Sequence, residues 1–241
     1  MVTLPAVTAA TATARTIMTD DAVAVLRLCH LVSPALPIGA YAYSQGLEYA
    51  VHAGWVHDEA STLDWILGLA ARSVGTLDLP LLARLHAAWR HGDGPALHRW
   101  NSQLIAMRET AELRAEERHL GAALRRVLVT LEVPEAADGA PRDAAYATLF
   151  ALACVRWQIA LPDALRGYLW AWSENQVLAA IKLVPLGQSA GQRVLSRLLD
   201  SIPSIGARAL EMDDSAIGIG VIASAIGSAL HESQYTRLFR S

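Results

Sequence analysis

Residues 28–48 read LCHLVSPALPIGAYAYSQGLE, and the way this stretch breaks decides the fold. It carries no formal charge from Leu28 to Leu47, the longest such run in the chain, yet it is unsuited to spanning a membrane. Pro34, Pro37, Gly39 and Gly46 interrupt it, and His30, Ser33, Ser44 and Gln45 are polar. Proline disfavours helix at the residue before it, so Ser33 and Leu36 are expected to be extended and a first helix to stop near Val32. A Pro-Ala-Leu-Pro-Ile-Gly connection follows, and a second helix is expected to open near Ala40 with Tyr41 and Tyr43 at its mouth. Tyrosine joins a rigid apolar body to a polar tip, a combination common at interfaces. The plain reading is a buried helix–turn–helix elbow; the functional one is an elbow that presents its tyrosines.

Outward from the elbow, composition points the same way. The chain has 241 residues, near the upper limit for one core. It is 53% hydrophobic and 18% charged, against about 25% charged for an average soluble domain. More than one face is therefore expected to be covered, by a core or by partners. A net charge of −3 and a pI near 6.2 lack the basic footprint of a nucleic-acid binder. Cys29 and Cys154 lie in apolar, helix-like segments and read as small buried hydrophobes in a reducing compartment. No basic region followed by an apolar block opens the sequence, so no signal peptide is expected and the cytoplasm is the expected location.

Residues 1–19, rich in Ala and Thr, read as a flexible tail. Asp20 and Asp21 suit the start of the first helix, where acids favour the dipole. Leu47, Val51 and Trp55 continue an apolar face that Gly54 ends. Asp58–Val74 and Leu79–Trp89 show apolar spacings of three and four. Pro95 starts another helix after the His91–Gly94 turn. In RETAELRAEER, residues 108–118, alternating charges such as Arg108 with Glu112 and Arg114 with Glu117 predict an exposed helical face. Leu113, Leu120, Leu124, Val127 and Leu131 give that helix a buried stripe. Residues 132–142 read as a loop. Helices follow over Asp143–Gln158, Asp163–Leu183 and Gln188–Leu199, the last broken at Pro203. Ser215–Leu230 is uncharged but shorter than the about 20 residues of a membrane span. It reads as a buried helix whose small residues allow close packing in a core or a dimer. Strand-type alternation is absent, and the expectation is a single-domain all-α bundle of roughly ten helices over residues 20–234.

Reaction chemistry is hard to find. There is no G-x-x-x-x-G-K-[ST] phosphate loop and no G-x-S-x-G elbow. His231-Glu232-Ser233-Gln234-Tyr235 approaches H-E-x-x-H but places Tyr235 where the second ligand belongs. No metal site and no cofactor are expected. What stands out are polar or aromatic groups at tight turns. Lys182 sits in IKLVPLGQ, just before a corner that ends at Gln188. It is either a snorkelling helix-end lysine or a charge offered to a partner. The ending Tyr235-Thr236-Arg237-Leu238-Phe239-Arg240-Ser241 mixes cations with large apolar groups, a make-up suited to ordering against a partner.

These pieces carry a resemblance. Ser33-Pro34 through Pro37-Ile38-Gly39-Ala40-Tyr41-Ala42-Tyr43-Ser44-Gln45-Gly46-Leu47-Glu48 is similar to the elbow of the urease accessory protein UreF family. So are Arg108-Glu109-Thr110 with Glu112-Leu113-Arg114, Lys182 with Pro185-Leu186-Gly187-Gln188 and Gly191-Gln192, and the ending Arg237 to Ser241. In order, they span residues 33–241. The resemblance implies an all-α, non-enzymatic chaperone of nickel insertion that binds a UreD/UreH-type accessory protein, recruits a UreG-type GTPase to apo-urease, and often forms a homodimer. It implies that Lys182 contacts the GTPase and that Gln188, in the same corner, is a partner-binding residue. It places Tyr41, Tyr43 and Glu48 near that surface or the UreD-type surface, and has Arg237, Leu238, Phe239 and Arg240 order on the UreD-type partner. No nucleic acid or membrane partner is implied. The rival reading is a small helical enzyme with its site at the elbow, using Tyr41, Tyr43, Glu48 or Lys182; a strongly perturbed Glu or Lys in a closed pocket would favour it.

Overall fold

The long apolar stripes bury themselves against one another in a computed structural model that describes residues 20–218 and 220–241; the tail expected over residues 1–19 lies outside the described residues. The order is α1 (Asp20–Leu31), α2 (Leu47–His52), α3 (Glu59–Leu69), α4 (Asp78–His91), α5 (Gly94–Ala106), α6 (Ala111–Thr130), α7 (Glu135–Asp138), α8 (Tyr146–Arg156), α9 (Leu161–Leu183), α10 (Gln188–Leu199), α11 (Ile202–Glu211) and α12 (Ile222–His231). With eleven helices, the single turn α7, and no strand among the described residues, the expected all-α domain is what forms. Its centre is α8, where Ala147, Leu149, Phe150, Ala151, Ala153 and Cys154 are wholly buried, packed against Leu79, Leu81, Leu82 and Leu85 of α4. The longest helix, α9, runs past α2, α3, α4, α10 and α11 and ties the bundle together. Gly121 of α6 is where α8's entry crosses: a Cβ there would lie 1.9 Å from the Ala144 carbonyl oxygen.

Several local expectations are corrected. The second helix does not open at Ala40; Ala40–Ala42 is only a 3₁₀ turn, and α2 begins at Leu47. Gly39 (φ 77°), Gln45 (φ 52°) and Gly46 (φ 83°) are left-handed, which keeps the chain from closing into a helix earlier. Residues 132–142 contain the turn α7. Pro203 does more than break α10: it sits in the first turn of α11. Cys29 is exposed because α1 turns Leu28 towards Gly167 of α9 and Leu31 into the core; only Cys154 is buried.

Two further corrections bear on the site. The 108–118 segment is not a solvated charged face: Arg108 precedes α6, and Glu116 and Glu117 are 5% and 6% exposed. The 215–230 run is not one buried helix. Among the described residues of the run, the α-helix begins at Ile222 and continues to His231, with Gly227, Ser228 and His231 turned inward. Ile222, Ile226 and Leu230, spaced by four, form an outward apolar stripe. Among the described residues, no single helix is long and apolar enough to cross a membrane.

Candidate partner-binding site at the elbow

The elbow, the start of α6 and the end of α12 converge on the last residues of the chain. Gly46 makes this possible. A Cβ there would lie 2.9 Å from the Ser228 backbone nitrogen, so only glycine lets α12 lie against the start of α2. Thr110, which caps α6, shares a 2.8 Å hydrogen bond with Ser228 on the same crossing. Glu232 closes the junction, its Oε1 accepting from the Ala111 N–H at 2.9 Å where a helix start favours an anion.

Glu48 is the hub. Buried in the first turn of α2, it accepts the Leu238 N–H on Oε1 at 2.6 Å and the Phe239 N–H on Oε2 at 2.9 Å. His231 Nε2 lies 3.2 Å from Glu48 Oε2, and His231 Nδ1 lies 2.7 Å from Glu112 Oε2. An ionised carboxylate only accepts, so the fully buried ring satisfies both acids when each nitrogen carries its hydrogen. Arg237 extends the chain of charges, Nη1 donating to Glu112 Oε1 at 2.7 Å. The main chain then follows the elbow: the Arg240 N–H donates to the Ala42 carbonyl at 2.9 Å and the Ser44 N–H to the Ser241 carbonyl at 2.9 Å. Phe239 fills a small cluster with Leu47, Ala50, Val56, Ala180 and Val184, and Lys182 Nζ stands 5.6 Å from its ring centroid. That geometry is a cation–π contact.

The structure thus brings together Glu48, Lys182, Arg237, Leu238 and Phe239, with Tyr43 and Arg240 alongside. Tyr43 is buried, its hydroxyl 3.2 Å from His119 Nδ1. Burial pushes its phenol up, while the Arg240 guanidinium beside it pulls the other way. Tyr41 is 60% exposed on the outer lip and Leu238 is 64% exposed. Gln188 is the exposed first residue of α10.

Behind the elbow lies a cavity of about 80 Å³. Arg108 enters it, bonded to both Asp78 and Glu117, and the Tyr168 hydroxyl donates to Asp78 Oδ1 at 3.2 Å. Burial would pull the guanidinium down, but Asp78 and Glu117 more than offset this and hold it above its ordinary value. Glu117 Oε2 also accepts the Tyr146 N–H at 3.1 Å, an acid at the start of α8. Glu116 lies between this cluster and the elbow. Gln45 Nε2 donates to its Oε1 at 2.7 Å and Ser241 Oγ to its Oε2 at 2.9 Å. Burial raises its carboxyl to about 7, the two hydrogen bonds acting against the rise and Glu117 adding to it.

Glu112, Glu116 and His231 were not among the sequence-based candidates. A signal for one of them existed: Leu113, Glu116, Glu117 and Leu120 recur at spacings of three and four, which puts both carboxylates on the buried stripe of α6. Among the described residues, no group of three or more His, Cys, Asp or Glu side chains is arranged to hold a metal ion.

Comparison with known proteins agrees with this architecture. A family model described as UreF matches residues 56–199. A urease accessory protein UreF of Alkalilimnicola ehrlichii is 50% identical over 224 residues, covering 92% of this chain and 98% of its own. The corresponding protein of Teredinibacter turnerae is 50% identical over 216 residues, 90% of this chain and 98% of its own. That of Chromohalobacter salexigens is 46% identical over 221 residues, 92% and 96% respectively.

Proposed function

Since the chain belongs to the UreF family of urease accessory proteins, we propose that it serves urease maturation as a non-catalytic scaffold: it binds a UreD/UreH-type accessory protein, recruits a UreG-type GTPase, and supports nickel delivery to apo-urease, the metal being cargo. The single observation that carries this reading is the elbow surface. A buried network of Glu48, His231 and Glu112 fixes the C-terminal segment so that Lys182, Leu238, Arg237 and Tyr41 face outward together. Such a layout, a rigid anchor beneath exposed cationic and apolar tips, is that of a recognition patch. Lys182 is the candidate contact for the GTPase, with Gln188 on the neighbouring corner. Arg237, Leu238, Phe239 and Arg240 are the candidate contact for the UreD-type protein, with Tyr41, Tyr43 and Glu48 shaping its edge. A homodimer in the cytoplasm is part of the same reading.

Lys182→Ala tests it. The variant is expected to fold normally but to co-purify less GTPase, with the loss larger at low salt, because one exposed charge is screened at high salt. Unchanged recruitment at two salt concentrations would overturn the role of Lys182. Deleting residues 237–241 is expected to abolish binding of the UreD-type protein while leaving the helical circular-dichroism signal intact; binding that survives would overturn the assignment of the segment.

One observation favours the rival reading of an elbow enzyme: Glu116, raised to about 7, lines the cavity behind the elbow. Two facts weigh against it. The cavity, about 80 Å³, is far smaller than the about 300–1,000 Å³ of small-molecule sites. Both Glu116 oxygens are already engaged, by Gln45 and by Ser241. Turnover of a small molecule by the purified chain would reverse this preference.

A further inference from the structure

Residues 237–241 lie as a strap across the groove between the elbow and α6. Glu48 holds its middle through the Leu238 and Phe239 N–H groups, and Ala42 and Ser44 hold its end. The terminal contact has a different character. Ser241, 0% exposed, covers Glu116, 5% exposed, and its hydroxyl is one of the two groups bonded to that carboxyl. The strap is therefore part of what keeps water from Glu116. Lifting it would hydrate the carboxyl, and a hydrated carboxyl favours its ionised form. We propose that residues 237–241 form a pH-sensitive strap, held shut while Glu116 is protonated and loosened when Glu116 ionises.

The surroundings of Glu116 fit this role. On its own helix, Glu117 repels a second negative charge and His119 faces Tyr43. From the α5–α6 connection come Arg108, already shared between Asp78 of α4 and Glu117, and Glu109. Tyr146 of α8 and Tyr168 and Glu174 of α9 line the same cavity. From the strap itself comes Arg240, whose side chain is exposed beside Tyr43. Among these cations Arg108 is bound to other acids and Arg240 faces solvent, so neither is a dedicated counter-ion for Glu116. The carboxyl's rise to about 7 matches that arrangement. With Oε1 bonded by Gln45, the proton belongs on Oε2, where the Ser241 hydroxyl can accept it in place of donating. His231 and the two acids that hold it, Glu48 and Glu112, are the other titratable groups beneath the strap.

The direction follows from linkage. A carboxyl that titrates near 7 under the closed strap and lower once hydrated binds its proton more tightly in the closed state. The closed state is therefore favoured at low pH and weakens as pH rises, levelling off above about 7. Between pH 6 and pH 8 the closing equilibrium can fall by up to about tenfold. The strap's contacts and the burial of Glu116 beneath it carry this inference, which is separate from the partner roles proposed above.

The test is amide hydrogen exchange on the full chain, reading segment 235–241 from pH 5 to pH 8, with rates divided by those of a free peptide of the same sequence. Protection in the wild type is expected to fall up to about tenfold from pH 6 to pH 8 and to level off above about 7, while α8 stays protected throughout. Glu116→Gln, which mimics the protonated acid, is expected to hold its protection constant over that range. A wild-type profile without this fall would overturn the proposal. So would the same fall in Glu116→Gln, which would show that Glu116 is not its source. Ser241→Ala, a change confined to the strap, removes a hydrogen bond that favours the ionised carboxyl, so the levelling point should move to higher pH. It decides the matter if Glu116→Gln fails to fold, and a levelling point that does not move would overturn the proposal.

Discussion

Replacing Glu48 with alanine removes the acceptor on which the elbow and the C-terminal segment depend. The carboxylate is 7% exposed and accepts from the Leu238 N–H, the Phe239 N–H and His231. Two responses are open to the variant. The segment can stay in place with two buried N–H groups unpaired, at about 1–3 kcal/mol each. Alternatively it can lift into water, which satisfies those donors but exposes Phe239, at about 1.5–3 kcal/mol for the lost burial. The cheaper route governs, so lifting is the expected outcome and the expected loss is about 1.5–3 kcal/mol. His231 is spared full isolation because Glu112 remains 2.7 Å from its Nδ1. For a domain of this size the loss corresponds to a fall in Tm of roughly 3–12 °C. Calorimetry gives the Tm, and hydrogen exchange of residues 235–241 shows whether the segment has lifted. Glu48→Gln, which keeps one carbonyl acceptor, should fall between the two. If Glu48→Ala melts within about 2 °C of the wild type and keeps full protection at Leu238 and Phe239, the reasoning that makes Glu48 the hub is refuted.

Three other outcomes follow from the same contacts. Gly46→Ala should cost about 2–3 kcal/mol in a denaturant melt, because a Cβ at φ +83° would meet the Ser228 backbone at 2.9 Å and push α12 away. Arg108→Ala leaves Asp78 and Glu117 buried without their shared cation, and should cost about 3–5 kcal/mol by the same assay. Glu116 titrates near 7 in the fold against an ordinary value of 4.5, so the fold binds its proton more tightly than the unfolded chain does. Its contribution to stability is complete below about 4.5 and is lost as pH rises to about 7, by up to about 3 kcal/mol, and Glu116→Gln should flatten that part of the stability–pH curve.

The bundle was legible because apolar periodicity is local. Leu63, Ile66 and Leu67 announce α3, and the Gly187-Gln188 corner announces α10 within a residue. The elbow was legible as a break but not as a shape. Prolines show where a helix stops, whereas the delay of α2 to Leu47 is set by Gln45 and Gly46 in left-handed conformation and by α12 lying across them. Glu48, Lys182 and Phe239 were singled out from the sequence and do meet, but what joins them was hidden. Glu112, Glu116 and His231 are distant along the chain from the elbow, and alternating charges on α6 imitate a solvated helix. For Glu116 the apolar spacing of Leu113 and Leu120 was a local signal, whereas the meeting of Glu112 and His231 with the elbow depends on the tail folding back, a tertiary event that no local pattern encodes. The exposed stripe Ile222, Ile226 and Leu230 was missed for a related reason: small residues on one face of α12 read as burial all round.

The central claim is that this chain works by offering a surface to other proteins. Co-expression with a UreD-type protein and a UreG-type GTPase, followed by size-exclusion chromatography with light scattering, measures that directly. All three are expected to elute together at the summed mass, and Glu48→Ala is expected to drop out of the complex while still folded. Elution of the folded wild-type chain by itself, with both partners present and competent, would contradict it.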